Sequence, residues 1–347
     1  MPLRLRSVDL ETDREELISL LGRNLPEISH AHRYEWLYLA NPHGVARSWF
    51  VVDSPSGNAV GCASLFPKIL CLDGRPRLCG QVGDFAIDRA FRSLGPALML
   101  QRCTLEAVRR GEFEICYDCP PHSLGMSTFQ RLGMAESCQM HGYARLMRTD
   151  RQLRKLLGNK TLSRLIAVPC NYYLRTRNHK SLPDNALDIA PLEGSFGEEF
   201  TALDRQLTGA AVIRCRRSAE YLNWRFREDP LNHYTVLTAR RRNQLVGFAI
   251  LAADKQDAHL LDICGAPEVS SQLVEAAANA IKDMRVETLR ATISQFNPLS
   301  VVLQERGFWF RAPAARVIAY CSPEAEMLRN MLDSPNNWVL THSDILA

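Results

Sequence analysis

The sequence predicts an α+β (mixed α/β) protein of two tandem units, each a mostly antiparallel sheet flanked by helices. Three observations lead there. The chain has 347 residues, more than one ordinary hydrophobic core organises. Short apolar runs broken by Gly, Pro, Asn and Asp alternate with stretches of helical periodicity. The order of elements then repeats. Trp36 stands six residues before Pro42, and Trp224 six before Pro230. A Val-Gly pair follows in each half, Val60-Gly61 and Val246-Gly247, and Arg131-Leu132-Gly133-Met134 is echoed by Arg306-Gly307-Phe308. The expected division is a first unit at 1–149, a basic connector at 150–184, a second unit at 185–322 and a tail at 323–347.

In the first unit Leu3 to Val8 alternates as a strand. Asp9, Thr12 and Asp13 are cap-type residues ahead of a helix with Leu17, Ile18, Leu20 and Leu21 on its apolar face. His32 to Leu39 predicts a short helix stopped by Asn41-Pro42-His43-Gly44. Three strands follow: Ser48 to Val52, Ala59 to Leu72 and Leu78 to Ile87, the last two joined by Asp73-Gly74. A turn with Gly95 and Pro96 opens a helix running to about Arg110, and Gly111 stops it. Phe113 to Cys119 predicts a strand, Ser123 to Leu132 a helix and Gln139 to Met147 a final strand or pair.

The connector is rich in Arg and Lys, with Pro169, Pro183 and apolar blocks at 164–168 and Tyr172-Tyr173-Leu174. It predicts a helical or irregular segment that packs on something. The second unit starts with a strand at Leu187 to Ala190. Helices follow at Phe196 to Leu207 and Ser218 to Arg227, then strands at Tyr234 to Arg240, Leu245 to Ala252 and His259 to Cys264. An Ala-rich helix over Val269 to Met284, a strand over Val286 to Ile293, a helix over Pro298 to Arg306 and a strand over Val317 to Tyr320 complete it. The tail holds Trp338.

Composition narrows the function classes. The formal charge is +4 with the charges interspersed, which suits a small anionic ligand better than a nucleic-acid surface. No apolar run approaches the roughly 18 residues of a membrane span, and the N-terminus turns acidic where a leader would be apolar. Eleven scattered cysteines point to free thiols and a cytoplasmic location. Cys116 and Cys119 spell C-x-x-C, but on a strand they face opposite sides, and no second pair completes a zinc site; no metal is expected.

The stretch from Gly83 to Arg110 carries the chemistry. It reads as a strand, a polar turn and a helix, an arrangement that presents free N–H groups and the positive end of a helix dipole to an anion. Arg92-Ser93-Leu94-Gly95-Pro96-Ala97 fits the Q/R-x-x-G-x-G/A motif, and its place after a third antiparallel strand resembles the GCN5-related N-acetyltransferase (GNAT) superfamily. Residues 1–148 carry the resemblance, and 185–322 resemble a degraded second copy. The resemblance implies acetyl-CoA or another acyl-CoA as co-substrate. Its pyrophosphate would lie on Arg92, Ser93, Leu94, Gly95, Pro96 and Ala97, its pantetheine along Phe85, Ala86 and Ile87. The acyl group would pass to the amine of a small molecule held between the halves. Two departures stand out: Pro96 has no N–H, and Phe129 replaces the tyrosine many members use to protonate the leaving thiolate.

Asp84, before the turn, is a candidate general base; its alternative is a local hydrogen-bonding carboxylate. Tyr117 and Asp118, on the strand that would face the thioester, and His122 just after it are candidates to line the splay, with His122 a candidate acid or base and otherwise a capping or surface histidine. In the second copy Ala266-Pro267-Glu268-Val269 stands where the motif would be, without its basic residue or glycine, so that half is expected not to bind CoA in the family manner. Two other functions remain open: a non-catalytic acyl-CoA-binding or scaffold protein, and an aminoacyl-tRNA-dependent peptidyl-type transferase using the basic connector.

Overall fold

Trp36 and Trp224, the matched tryptophans of the two halves, stack on each other with ring centroids 4.9 Å apart. Each indole N–H donates to the other residue's carbonyl, Trp36 Nε1 to Trp224 O at 2.7 Å and Trp224 Nε1 to Trp36 O at 3.0 Å. This reciprocity gives the halves a local two-fold relation. The computed structural model describes residues 2–120, 128–178, 187–207, 213–254 and 256–345.

The first half begins with β1 (Leu3–Ser7), α1 (Arg14–Asn24) and α2 (Ala31–Tyr34), which continues as a π-helical turn over Glu35–Leu39. Strands β2 (Arg47–Asp53), β3 (Ala59–Leu72) and β4 (Arg75–Ile87) form an antiparallel meander. Helix α3 (Leu94–Arg109) leads to β5 (Ile115–Asp118), parallel to β4, and β6 (Cys138–Leu146) closes the half in sequence. Of the expected helix over Ser123 to Leu132, residues 128–132 are described, and 128–131 are helical.

The connector forms two helices, α4 (Asp150–Leu157) and α5 (Lys160–Asn178). The second half contains β7 (Asp188–Pro191), α6 (Glu198–Leu207), β8 (Arg214–Cys215) and α7 (Ala219–Phe226). Strands β9 (Thr235–Arg241), β10 (Gln244–Ala253) and β11 (Asp257–Gly265) make the second meander. Helix α8 (Pro267–Ala280), β12 (Thr288–Ser294), α9 (Leu299–Glu305) and β13 (Trp309–Cys321) follow, then α10 (Glu326–Leu332) and α11 (His342–Ile345). The mixed, mostly antiparallel sheets flanked by helices are those the sequence predicts.

The repeated glycine has a packing cause. A Cβ on Gly61 would meet Ala86 O at 3.1 Å and Leu100 of α3 at 3.5 Å; one on Gly247 would meet Val269 of α8 at 2.6 Å. In both halves a bare backbone lets the helix after the meander lie close to the sheet.

The halves also share strands. The sheet order is β1-β2-β3-β4-β5-β13-β6-β12-β11-β10-β9-β7, with β8 on β3. Thus β13 pairs with first-half β5 through Ile318–Cys321 and with β6 through Trp309–Val317. β6 in turn pairs with β12, and its buried Arg145 ion-pairs with Glu275 of α8 at 3.0 Å. β13 is far longer than the expected Val317 to Tyr320. Its first eight residues are mostly exposed and contain Pro313, which hid the strand; bulges at Phe310/Ala312 and Pro313/Ala315 accommodate them.

Removing one member of the tryptophan stack tests the junction. Trp224→Ala is expected to lower unfolding stability by about 3–5 kcal/mol. Because Trp36→Ala removes the same contacts, the double variant should cost clearly less than the two single losses added. Denaturant titration of the three variants measures this; simple additivity would show that the stack does not couple the halves.

Candidate functional site

The first-half sheet opens where its parallel pair ends. β4 and β5 pair only over Cys79–Ile115, Gly80–Cys116 and Gln81–Tyr117. Beyond Gln81, β4 continues to Ile87 held by β3 alone. Its other edge, from Val82 to Ile87, is therefore unpaired with β5 and faces a splay, and Phe85, Ala86 and Ile87 lie along it. Phe85 and Ile87 pack toward α3 with Met99 and Leu100, while Ala86 packs on the α1–α2 face with Cys62.

A bulge bends β4 at this point. The β3–β4 register shifts between Cys62 and Ser64, and Asp84 adopts φ 47°, a left-handed backbone uncommon for a non-glycine residue. Asp84 is 7% exposed. Its Oδ1 accepts from Arg33 Nη2 at 2.9 Å, and its Oδ2 accepts from Arg33 Nη1 at 2.8 Å and Tyr38 OH at 2.6 Å. Both oxygens are engaged in a bidentate, buried pair, so the carboxylate is not poised to take a substrate proton as expected of it. Asp84 corresponds to its alternative, a locally hydrogen-bonded carboxylate, and it fastens the bulge to α2. The sequence signal for this was Arg33 and Tyr38 on one helix face, which only the fold aims at Asp84.

The turn after β4 is tied down from α1. Arg23 Nη2 and Asn24 Nδ2 donate to Asp88 at 2.9 and 2.7 Å. Arg92 Nε donates to Ile87 O at 2.9 Å and its Nη2 to Asn24 Oδ1 at 3.2 Å. Arg92 thus shapes the turn, while its exposed guanidinium stays beside the start of α3. Ser93 is the extended residue ahead of α3 and makes no side-chain cap. Among the described residues no group accepts from the N–H of Leu94 or Gly95, two of the orphan donors of a helix start. Pro96 is buried in the first turn, where its missing N–H costs the helix nothing. Ala97 is half-buried behind it. Among the described residues, a Cβ placed on Gly95 would meet no atom within 4 Å beyond its own helix and chain neighbours. Glycine costs a helix about 1 kcal/mol relative to alanine, and no described residue packs against this one; the open space above it leaves room for a ligand to approach the backbone. The cradle, the orphan amides and the unpaired edge fit the phosphates and extended arm of an acyl-CoA.

At the end of β5, side chains alternate across the sheet. Tyr117 is buried with Leu70, Cys215, Trp338 and Leu340 and donates to Asp344 O at 2.6 Å. Asp118 turns to the α3 side, where protein surrounds it although part of its surface stays accessible. Desolvation pushes its carboxyl up to about 7, opposed by hydrogen bonds from the Cys119 backbone and the Gln101 side chain. Sequence reading placed Asp118 only as a lining residue; burial at a strand end, invisible in the chain itself, makes it titrate near neutrality. His122 lies outside the described residues. Phe129 is buried against Ile318 and Met134.

Around Lys68 the described residues of the two halves pack closely. Lys68, fully buried, donates to Gln81 Oε1 at 2.9 Å and to Asp344 O at 3.1 Å. Beside Lys68, Trp36 and Trp224 a cavity of about 10 Å³ remains, enough for about one water. The acceptor amine expected between the halves meets, beside these residues, a cavity of no more than this size among the described residues. The second half has its own splay: β11 and β12 pair from Asp257 to Leu260 only. The chain's tail plugs it. Ile293 bridges Thr341, Ser294 Oγ donates to Trp338 O at 2.6 Å, and Thr341 Oγ1 donates to Asp262 Oδ1 at 3.1 Å. Arg217 spans Asp262 and Asp344 at 2.8 and 2.9 Å. Burial opposes the charge on Asp344, but Arg217 and Lys68 hold its carboxyl below the usual range. With Gly265 followed at once by α8, this half also lacks the six-residue turn of the first.

With this geometry the comparisons can be placed. No protein-family model and no curated protein matches the sequence. Solved structures of similar fold do. A probable N-acyltransferase of unknown function from Enterococcus faecalis aligns with 92% of this chain and 72% of its own, at 9% identity and TM-score 0.67. A GCN5-related N-acetyltransferase from Anabaena variabilis aligns with 92% and 73%, at 12% identity and TM-score 0.64. The N-myristoyltransferase of Saccharomyces cerevisiae, solved with bound myristoyl-CoA, aligns with 92% and 84%, at 11% identity and TM-score 0.59. The fold is the GNAT fold in a two-domain arrangement.

Two measurements check the site's electrostatics. Asp118 has a folded pKa above its unfolded value near 3.8, so its ionisation penalises the fold increasingly as pH rises from about 4 to 7. Asp118→Asn should match the wild type at pH 4 and gain stability relative to it up to pH 7, then hold a constant gain; a pH-independent difference would refute the buried carboxyl. Asp84→Asn leaves Arg33 without its counter-charge and should cost about 3–5 kcal/mol. An unfolding midpoint within error of wild type would show that the pair does not hold the bulge.

Proposed function

We propose that the first half binds an acyl-CoA and transfers its acyl group to an amine. One observation carries this: the unpaired edge of β4 runs into a glycine-opened helix start whose N–H groups have no partner among the described residues. A pyrophosphate on Ser93, Leu94, Gly95 and Ala97 would be met by backbone donors and the helix dipole, with Arg92 alongside. The pantetheine amides would pair with the β4 edge at Phe85 to Ile87, placing the thioester in the splay beside β5.

The acyl-CoA supplies an activated carbonyl. The amine nitrogen forms the new C–N bond, the C–S bond breaks, and the thiolate leaves with the sulfur's electron pair. A thiol pKa near 8.5 makes that leaving group tolerable without a dedicated acid, consistent with Phe129. Asp118 is the described carboxyl at the splay suited to accept a proton near neutrality; His122 is the other candidate. Asp84 acts as a positioning residue. The similar solved structures described as acyltransferases support the reading, and acetyl-CoA is one member of the acyl-CoA class it covers. A second reading, binding without turnover, draws support from the close packing of the described residues around Lys68.

Gly95→Glu places a charge and bulk into the cradle and is expected to abolish acetyl-CoA binding in calorimetry while the far-UV spectrum and melting temperature stay unchanged. Wild-type affinity would remove the cradle. Thiol release from acetyl-CoA with an amine panel separates the two readings: release that falls at least tenfold in Asp118→Asn at unchanged CoA affinity supports transfer, and binding without any release supports the non-catalytic protein.

A further inference from the structure

Helices α4 and α5 pack chiefly on each other and stand off the body over a cavity of about 310 Å³ against α8. On α5, Ser163 and Ala167 are buried on the inner side. The outer side carries Leu162, Leu165, Ile166 and Tyr173, which 3.6-residue periodicity sets along one stripe, and Val168 and Tyr172 extend it to the exposed rim of the cavity. Leu165 is 68% exposed, Val168 70% and Tyr172 71%, and Leu156 on α4 reaches 81%. Seven of the seventeen large apolar side chains exposed among the described residues lie in this hairpin. Single exposed apolar residues are ordinary; a cluster of this kind marks an interaction surface.

The same segment concentrates positive charge. Residues 148–178 contain eight Lys or Arg and one acid, Asp150, in a chain whose whole formal charge is +4. Among the described residues no carboxylate pairs with Arg154, Lys155 or Lys160, all of them exposed.

We propose that the α4–α5 hairpin is a docking face for an anionic lipid surface, lying in the headgroup region without spanning the bilayer. Both of its properties are used there: the apolar stripe with Tyr173 enters the interface, and the cations meet anionic headgroups. No helix is long and apolar enough to cross a membrane among the described residues. A second copy of the chain would bring two like-charged faces together, and a nucleic acid would use the cations but leave Leu165 and Val168 unburied. The proposal is independent of the acyl-transfer reading.

The experiment is sedimentation of the full chain with vesicles of phosphatidylcholine alone and with about one-third phosphatidylglycerol added. Binding to the anionic vesicles, about tenfold weaker to neutral ones and reduced by high salt, is expected. Leu165→Glu with Val168→Glu should lose about tenfold in binding or more with an unchanged melting temperature. Lys155→Ala with Lys160→Ala should weaken binding to anionic vesicles alone. Absence of binding to anionic vesicles, or full retention by the Leu165→Glu, Val168→Glu variant, overturns the proposal. Dimerisation abolished by that variant, or salt-sensitive RNA retention, each without vesicle binding, overturns it in favour of those partners.

Discussion

The paired tryptophans at the centre set the geometry of everything around them. Each indole is buried on the other and needs a partner for its one donor, and each finds it in the other's carbonyl. That exchange is satisfied in one relative placement of the halves. It fixes how α2 and α7 meet, and with them the strands each helix covers. The shared strands β6 and β13 then extend the same arrangement along the sheet, so neither half completes its sheet without the other.

Within that frame the two halves have diverged at one place. Both bend a helix closely onto the sheet with a bare glycine, and both splay where the parallel pair ends. In the first half a six-residue turn, held by Arg23, Asn24 and Arg92, leaves the splay and the helix start accessible. In the second, the turn is gone and the tail occupies the gap with Trp338, Thr341 and Asp344. The consequence is one open cradle and one closed by the chain itself. The ion networks follow the same division: Arg33 and Asp84 support the open side, Arg217 with Asp262 and Asp344 the closed one.

The acidic and basic groups near the open splay differ in what burial does to them. Asp84 is paid for by a full guanidinium and a hydroxyl, so burial makes it a fastener. Asp118 has an amide and a backbone N–H for company, too little to offset desolvation, and its proton becomes labile near neutrality. Two carboxylates a strand apart thus take different roles from their surroundings.

Much was legible in the chain itself. Apolar runs bounded by turn residues gave the meanders, whose central strands are buried on both faces; the cap and stop residues bounded the helices; the Arg92–Ala97 stretch read as a turn opening a helix, and the fold has a turn and a helix start there. The duplicated Trp, Val-Gly and Gly landmarks were visible as spacing, though not that the tryptophans touch. What only the tertiary structure decided are the long-range pairings. β13 was hidden because its exposed first half and Pro313 have no core pattern to read. The engagement of Asp84 depends on a helix fifty residues away, and the tail's place in the second splay depends on partners more than forty residues upstream. Sequence periodicity reports which face a residue buries against its own neighbours in the chain; which distant carboxylate meets which guanidinium is settled by how the two halves close on each other.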